Sequence, residues 1–168
     1  MLETLVYLRC ETKVWLEITV LLIPGENDSD AELDTMTQWI AGTLGLDVPL
    51  HFTAFHPDWK MLDHAPTPPA TLERARSIAI RNGLRYVYTG NVRDVRGAST
   101  WCPSCGALLV ERDGYRIGRW GLADDGSCAR CGERIPGVFE ARPGGWGARR
   151  MPVRMAAFSA AGRDRSLP

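Results

Sequence analysis

Residues 14–23 read Val-Trp-Leu-Glu-Ile-Thr-Val-Leu-Leu-Ile, and this stretch decides the fold class. Its β-branched and large apolar residues predict a β-strand, and it holds too few polar residues for a strand with one face in water. A strand buried on both faces is typical of a parallel sheet covered by helices, so we expect an α/β protein. Alternation places Glu17 and Thr19 on the more polar face, which lines the interior when such a sheet closes into a barrel.

Helices are predicted on both sides of this strand. Residues 2–9 have the composition of the last turns of a short apolar helix, and we expect Cys10, near its end, to be buried. A second helix begins at Ser29, where Glu32 completes a capping box, and ends at Gly45. Apolar residues recur along it at helical spacing and predict its buried stripe: Leu33, Met36, Ile40 and Leu44.

The same alternation continues along the chain. Residues 49–55 predict a second strand, and the loop 56–69 contains four prolines, which exclude regular structure there. Thr67 is expected to cap a third helix, with Pro68 just inside its start. A third strand is predicted at 84–89. The apolar stripe of the third helix is predicted to comprise Leu72, Ala75, Ile78 and Ala79.

This order of elements is typical of βαβ units around a parallel sheet. Three strands are too few to close a barrel, so residues 1–95 are interpreted as one half of a larger α/β domain. Residues 100–139 are predicted to form a second, small unit that contains a β-hairpin. Residues 140–168 are rich in glycine, proline and arginine, and we expect a disordered tail.

The second unit contains two Cys-x-x-Cys-Gly sequences joined by a hairpin pattern. Thiolates bind zinc well, and a gap of two residues lets one tight turn present both sulfurs to one ion. Gly106 and Gly132 follow the second cysteine of each pair, where the turn favours positive φ. Asp113-Gly114 predicts the hairpin turn that brings the pairs together. The predicted metal ligands are Cys102, Cys105, Cys128 and Cys131.

The sequence predicts the ligands more specifically than it predicts the metal or the role of the site. Four protein ligands leave no open position on the ion, so a structural zinc site, a zinc ribbon, is the primary interpretation. Iron in a rubredoxin-like site uses the same ligands and stays an alternative. Thiol redox chemistry is a weaker alternative, because neither pair precedes a helix whose N-terminus would activate a thiol.

Three histidines are further candidates. His56 directly follows the second predicted strand, at the carboxyl end where α/β sheets place their ligands. The alternative is that His56 satisfies backbone groups of the loop that follows. His51 and His64 are weaker candidates, and three separated histidines do not form a metal triad.

Three segments resemble those of a known family. They are Ile-Thr-Val-Leu-Leu-Ile-Pro-Gly-Glu-Asn-Asp (18–28), His-Phe-Thr-Ala-Phe-His-Pro-Asp (51–58) and Tyr-Val-Tyr-Thr-Gly-Asn (86–91). Together they are similar to the second half of the AmmeMemoRadiSam system radical SAM enzymes, relatives of the pyruvate formate-lyase activating enzymes. In that family, too, a cysteine ribbon ending near Ile-Pro-Gly-Val-Phe (135–139) follows the barrel half. The resemblance covers about residues 1–139.

The resemblance implies a partial (βα)6 barrel that cleaves S-adenosylmethionine reductively at a [4Fe-4S] cluster and so starts radical chemistry. It also implies that His56 lies beside the adenosyl portion of that cofactor and that Thr19 contacts the cofactor from the fourth strand. The family binds its cluster through a Cys-x-x-x-Cys-x-x-Cys loop that this sequence lacks, and Cys10 cannot replace three thiolates. We therefore expect a truncated or split member of the family, inactive alone, with the first barrel half on a separate chain.

A zinc-ribbon module that binds a protein or a nucleic acid is the alternative function. Arg112, Arg116 and Arg119 on the hairpin would face phosphate, but nearby acidic residues dilute them, and we do not expect nucleic-acid binding. The chain has 20 basic and 20 acidic residues, so no overall field favours nucleic acid or membrane. Without a long apolar run or a signal-peptide pattern, we expect a cytoplasmic protein with no membrane contact.

Overall fold

A sheet of three parallel strands organises the first part of the chain. Each strand lies within a β-prone run of the sequence, and each connection to the next strand contains a helix, as parallel pairing requires. The strands follow one another across the sheet in chain order: β1 (Ile18–Leu22), β2 (Leu50–Ala54) and β3 (Val87–Gly90). The expected α/β class with a three-stranded parallel sheet is therefore confirmed.

The computed structural model describes residues 1–142 of the 168. The predicted disorder of residues 140–168 therefore falls almost entirely outside the described residues. Among residues 1–142, none of the helices combines the length and the apolar character that a membrane crossing needs.

Two helices cover one face of the sheet. They are α2 (Asp30–Trp39), which continues into a π-helical turn (Ile40–Leu44), and α3 (Pro69–Arg81). Ser29 caps α2 as predicted, because its hydroxyl oxygen accepts from the backbone N–H of Glu32 and donates to the Glu32 carboxylate at 2.7 Å. Both apolar stripes are confirmed. The core between sheet and helices includes Leu22, Leu33, Ile40, Leu44, Leu50, Phe52, Leu72, Ala75, Ile78, Ala79 and Val87, with Met36 packed against it.

The opposite face of the sheet, called the open face below, carries neither α2 nor α3. On it, Thr19 and Leu21 of β1 are exposed, and His51 and Thr53 of β2 are half-buried. The expectation that this strand is buried on both faces is therefore wrong. β1 is also shorter than predicted, because residues 14–17 lie outside it, and it is an edge strand with a neighbour on one side only.

The first helix, α1 (Leu2–Glu11), is present as predicted but lies at the margin of the core. Leu5 and Val6 pack against the core, and the guanidinium Nε of Arg9 donates to a carbonyl of the π-helical turn at 2.7 Å. Cys10 lies in the last turn of α1, four residues beyond Val6. Cys10 is exposed, and the expectation that it is buried is wrong.

Thr67 does not cap α3, contrary to the sequence prediction. Pro68 occupies the capping position, and the hydroxyl of Thr67 instead joins the ends of two strands. It accepts from the backbone N–H of Phe55 at 2.9 Å and donates to the carbonyl of Leu22 at 2.5 Å. Thr67 is buried, so water does not replace these bonds, and the long-range contact outweighs a local cap.

The part of the chain called the cysteine module below (residues 100–139) is antiparallel. Asp113 pairs with Arg116, so the turn residues of its hairpin are Gly114 and Tyr115 rather than Asp113 and Gly114. Gly114 has a φ of 58°, which glycine adopts without strain. The short helix α4 (Val95–Ala98) precedes this region, and three strands build it: β4 (Thr100–Trp101), β5 (Leu108–Asp113) and β6 (Arg116–Trp120). Its buried cluster comprises Tyr86, Cys102, Leu109, Val110, Leu122, Cys128 and Ile135.

Replacing Thr67 with valine nearly keeps the side-chain volume but removes the hydroxyl. The Phe55 N–H and the Leu22 carbonyl then lose a hydrogen-bond partner in a buried site, so we expect the free energy of unfolding to fall by about 1–3 kcal/mol. Thr67→Ser is the matched control, because it keeps the hydroxyl and should lose less. Urea unfolding followed by circular dichroism measures both variants. A loss for Thr67→Ser as large as that for Thr67→Val would contradict a special role of the hydroxyl.

Candidate functional site

Two turns of the cysteine module share one pattern of backbone hydrogen bonds. In the first turn, the N–H of Gly106 donates to the carbonyl of Cys102 at 2.9 Å. In the second turn, the N–H of Gly132 donates to the carbonyl of Cys128 at 2.8 Å. The first cysteine of each turn also donates its own N–H to a carbonyl five residues further along the chain. Each turn is therefore closed by its own backbone, which holds its two thiols side by side.

Glycine is required after the second cysteine of each turn. The value of φ is 67° at Gly106 and 76° at Gly132, both in the left-handed region. No atom lies within 4 Å of the place where a β-carbon would stand, so the requirement is conformational and not steric. The positive φ predicted at both positions is confirmed.

The four cysteine thiols form one compact group. All four sulfur atoms lie within 4.8 Å of one another. Between the two turns, Cys102 Sγ is 3.6 Å from Cys131 Sγ, and Cys105 Sγ is 3.8 Å from Cys128 Sγ. A tetrahedral ion with metal–sulfur bonds of about 2.3 Å separates its ligands by about 3.8 Å. The four cysteines predicted as ligands are therefore placed so that they can bind a single metal ion.

The first cysteine of each pair is more buried than the second. Cys102 and Cys128 are buried, Cys105 is half-buried and Cys131 is exposed. Burial raises the pKa of Cys102. Burial acts in the same direction on Cys128, but backbone N–H groups at Cys131 and Arg130 outweigh it and lower the pKa of Cys128 to about 7. Cys128 therefore supplies a thiolate near neutral pH, and the thiolate is the form that binds metal.

The affinity of the cysteine module for metal should fall as the pH falls below about 7. Near neutral pH an incoming ion already displaces protons from Cys102 and Cys131, whose pKa values are raised, and below the pKa of Cys128, which is about 7, it must displace the proton of Cys128 as well. We expect the affinity for Co²⁺ to drop by about tenfold or more between about pH 7 and about pH 6. Thiolate-to-cobalt charge-transfer absorption measures this affinity. Cys128→Ser should abolish the absorption, whereas the exposed Cys10→Ser should not change it, and an affinity independent of pH would contradict thiolate ligation.

Two residues, Thr19 and His56, are expected to contact a cofactor, and they lie at different positions along the strand direction. Thr19 is exposed on the open face and is paired in register with His51. His56 lies two residues beyond the end of β2, at the carboxyl edge of the sheet, and is also exposed. His56 lies five residues beyond His51, the partner of Thr19, so the side chains of Thr19 and His56 do not touch each other. Their role in cofactor binding stays a prediction.

The other two histidines are engaged by carboxylates. His51 Nε2 lies 2.9 Å from Glu17. His64 Nε2 lies 3.0 Å from Glu26, and its Nδ1 lies 3.0 Å from Asp63. The hydrogen bond to Glu26, followed by the one to Asp63, raises the pKa of His64. Because this pKa is raised, the protonated His64 and its ion pairs stabilise the folded loop below that pKa. The stabilisation is lost as the pH rises through the pKa of His64.

Alternation predicted that Glu17 lies on the more polar face of the first strand, but not the row of contacts in which Glu17 takes part on the open face. Trp15 Nε1 donates to Glu17 at 2.7 Å, Glu17 binds His51, and the His51 ring stacks on Tyr88 with centroids 5.0 Å apart. The hydroxyl of Tyr88 lies 3.0 Å from Thr100 Oγ1 in the cysteine module. Alternation places such residues on one face, but only the register of the strands shows which of them meet.

The three hairpin arginines considered for phosphate binding differ in exposure. Arg112 is half-buried, donates to Thr100 Oγ1 at 2.7 Å and lies over the ring of Tyr88. Arg116 and Arg119 are exposed on β6. The hairpin therefore presents two of these arginines fully to solvent, and the third faces the sheet.

The chain is similar to an archaeal protein, the uncharacterized protein MJ0808 of Methanocaldococcus jannaschii. The two are 45% identical over 123 residues, which make up 73% of this chain and 37% of the relative. The chain thus spans little more than a third of the length of this relative. No family model matches the chain, and no solved structure matches it.

Proposed function

We propose that the chain is one half of a radical SAM-type barrel with a zinc ribbon attached, and that it does not start radical chemistry alone. The observation that carries this proposal is the three-stranded parallel sheet with an open face and a free edge at β1. A βα barrel needs more strands to close, and the open face is the one that would line its interior. Residues 1–142 do not supply those further strands.

Zinc is the metal proposed for the four cysteines. Four thiolates at tetrahedral spacing, with no open ligand position, are typical of structural zinc. Cys102 and Cys105 precede β5, and Cys128 and Cys131 follow β6, so one ion would clamp both ends of the hairpin. Iron in a rubredoxin-like site has the same ligand geometry and is distinguished from zinc by its visible absorption.

The described residues do not fit a [4Fe-4S] cluster. Each iron of such a cluster takes its own thiolate, so the ligands stand wider apart than around a single ion. Cys102, Cys105, Cys128 and Cys131 form the one-ion group, and Cys10 is alone and exposed on α1. Under this proposal, the cluster ligands come from other sequence, and Thr19 and His56 contact S-adenosylmethionine only in the completed barrel.

The first barrel half is proposed to lie on a separate chain that pairs with β1. Ile18 donates its N–H to Pro49, next to β2, so by alternation the amides of Thr19 and Leu21 point to the free side of the strand. Trp15 is 46% exposed and Leu21 43%, and an added strand would cover apolar surface of this kind. The matched segment is 37% of the relative, whose remaining length has room for another such half.

Metal analysis of the purified chain tests the ribbon and the absence of a cluster. We expect about one zinc per chain and no acid-labile sulfide. Cys102→Ser should lose the zinc because it removes a buried ligand, whereas Cys10→Ser should keep it. Iron with stoichiometric sulfide would overturn the proposal. Iron without sulfide would show that the four cysteines form a rubredoxin-like iron site and not a zinc site.

Hydrogen exchange tests the pairing of β1. The chain is purified with and without the unmatched part of the M. jannaschii relative, and amide exchange is compared. We expect the amides of Thr19 and Leu21 to exchange about tenfold or more slowly in the complex, because they gain acceptors. The amide of Val20 already faces β2 and serves as the control. A complex that leaves Thr19 and Leu21 unprotected would contradict pairing at this edge.

A binding module is a second candidate, favoured by the hairpin turn. Tyr115 in that turn is 82% exposed, and Arg116 beside it is exposed as well. Exposed tyrosine and arginine are frequent anchors of contacts between proteins. Salt-dependent binding to DNA or RNA would instead favour a nucleic-acid partner. Tyr115→Ala should weaken either kind of binding without loss of zinc.

A further inference from the structure

A cleft of about 780 Å³ separates the open face from the hairpin of the cysteine module. Its volume is that of a site for a small molecule. One wall, from the sheet side, includes Trp15, His51, Tyr86 and Tyr88. Strands β5 and β6 form the opposite wall, and residues 135–139 close one side. This space is called the hairpin cleft below.

The register of the hairpin aims four side chains at this cleft. Val110 pairs with Trp120, and Arg112 pairs with Ile117, so these residues share one face of the two strands. All four line the hairpin cleft. Among the described residues that line it, Arg112 is the one arginine or lysine, His51 is the one histidine and Glu17 is the one acidic side chain.

Arg112 is held in place but has no carboxylate partner among residues 1–142. One terminal nitrogen donates to Thr100 Oγ1 at 2.7 Å and to the Ala98 carbonyl at 3.4 Å. The guanidinium carbon lies 5.7 Å from the centre of the Tyr88 ring. These contacts leave Nε and the other terminal nitrogen as donors, in the planar arrangement that matches a carboxylate.

Trp120 lines the same cleft. Its indole Nε1 is buried and has no hydrogen-bond partner among the described residues. The aromatic rings of Trp120 and Tyr88 also offer surface to an apolar or planar ligand.

The other titratable groups that face the cleft do not oppose an anion near Arg112. Glu17 is already bound at both oxygens, to Trp15 and to His51. Burial is the main cause that raises the pKa of Tyr86 and of Tyr88, so both hydroxyls stay neutral. The uncompensated charge in the cleft is therefore positive and lies on Arg112.

We propose that the hairpin cleft binds a small carboxylic acid with an aromatic body. The carboxylate lies on the free nitrogens of Arg112, and the aromatic body packs between Trp120, Tyr88 and Ile117. The site goes beyond the proposed barrel half, and binding to it needs neither a cluster nor a second chain.

Calorimetry on the full, zinc-loaded chain tests this site. The probes are phenylacetate and indole-3-acetate, and phenylacetamide and indole-3-acetamide are their uncharged counterparts. We expect the acids to bind about tenfold or more tightly than the amides, the size expected of charge-assisted hydrogen bonds. No binding of the acids at about 10 mM to folded protein, or equal binding of acids and amides, would overturn the proposal.

Two pairs of variants locate the site. Arg112→Gln should remove the preference for acids, whereas Arg119→Gln, on the same hairpin but exposed, should keep it. Ile117→Glu places a carboxylate opposite Arg112 at a position that is 38% exposed, and it should also remove binding of the acids. Tyr115→Glu adds the same charge at an 82% exposed position outside the cleft and should leave binding unchanged. Equal effects of Ile117→Glu and Tyr115→Glu would overturn the assignment, even if Arg112→Gln fails to fold.

Discussion

The alternation of side chains along β3 joins the two packed parts of the molecule. Val87, the first residue of β3, enters the core beneath α2 and α3, while Tyr86, directly before the strand, is buried among residues of the cysteine module. Because neighbouring residues of a strand point to opposite faces, one short strand forms a wall of both clusters. Tyr88 repeats the direction of Tyr86 and meets Thr100 of the module. The position of the cysteine module relative to the sheet therefore depends on two tyrosines and their hydrogen-bonded neighbours.

This arrangement covers the open face unevenly. The cysteine module approaches the β3 side, where Tyr88 is half-buried against it, whereas Thr19 and Leu21 on the β1 side stay exposed. The hairpin cleft lies along the boundary between the covered and the bare parts. The sheet thus has one complete helical layer and, on its other side, a layer that begins at β3 and stops before β1.

Local patterns in the sequence predict those parts of the structure that local forces decide. The stripes of α2 and α3, the cap at Ser29 and the four clustered thiols depend on helical spacing, one side-chain cap and two short turns, and all are present. Thr67 was assigned wrongly because distant backbone decides its place: its hydroxyl joins two strand ends. Likewise, the contact of Arg112 with the sheet depends on how two units pack together, which no sequence spacing describes.

The uneven burial of the four thiols bears on how a bound ion would exchange with its surroundings. Cys102 and Cys128 lie inside the packed cluster, while Cys131 faces solvent and Cys105 is intermediate. A chelator can approach only from the side of Cys131 and Cys105, so these two bonds would break first. The ion would then remain attached to the two buried sulfurs, one from each turn, and the hairpin would stay closed. The first steps of metal exchange would thereby be separated from unfolding.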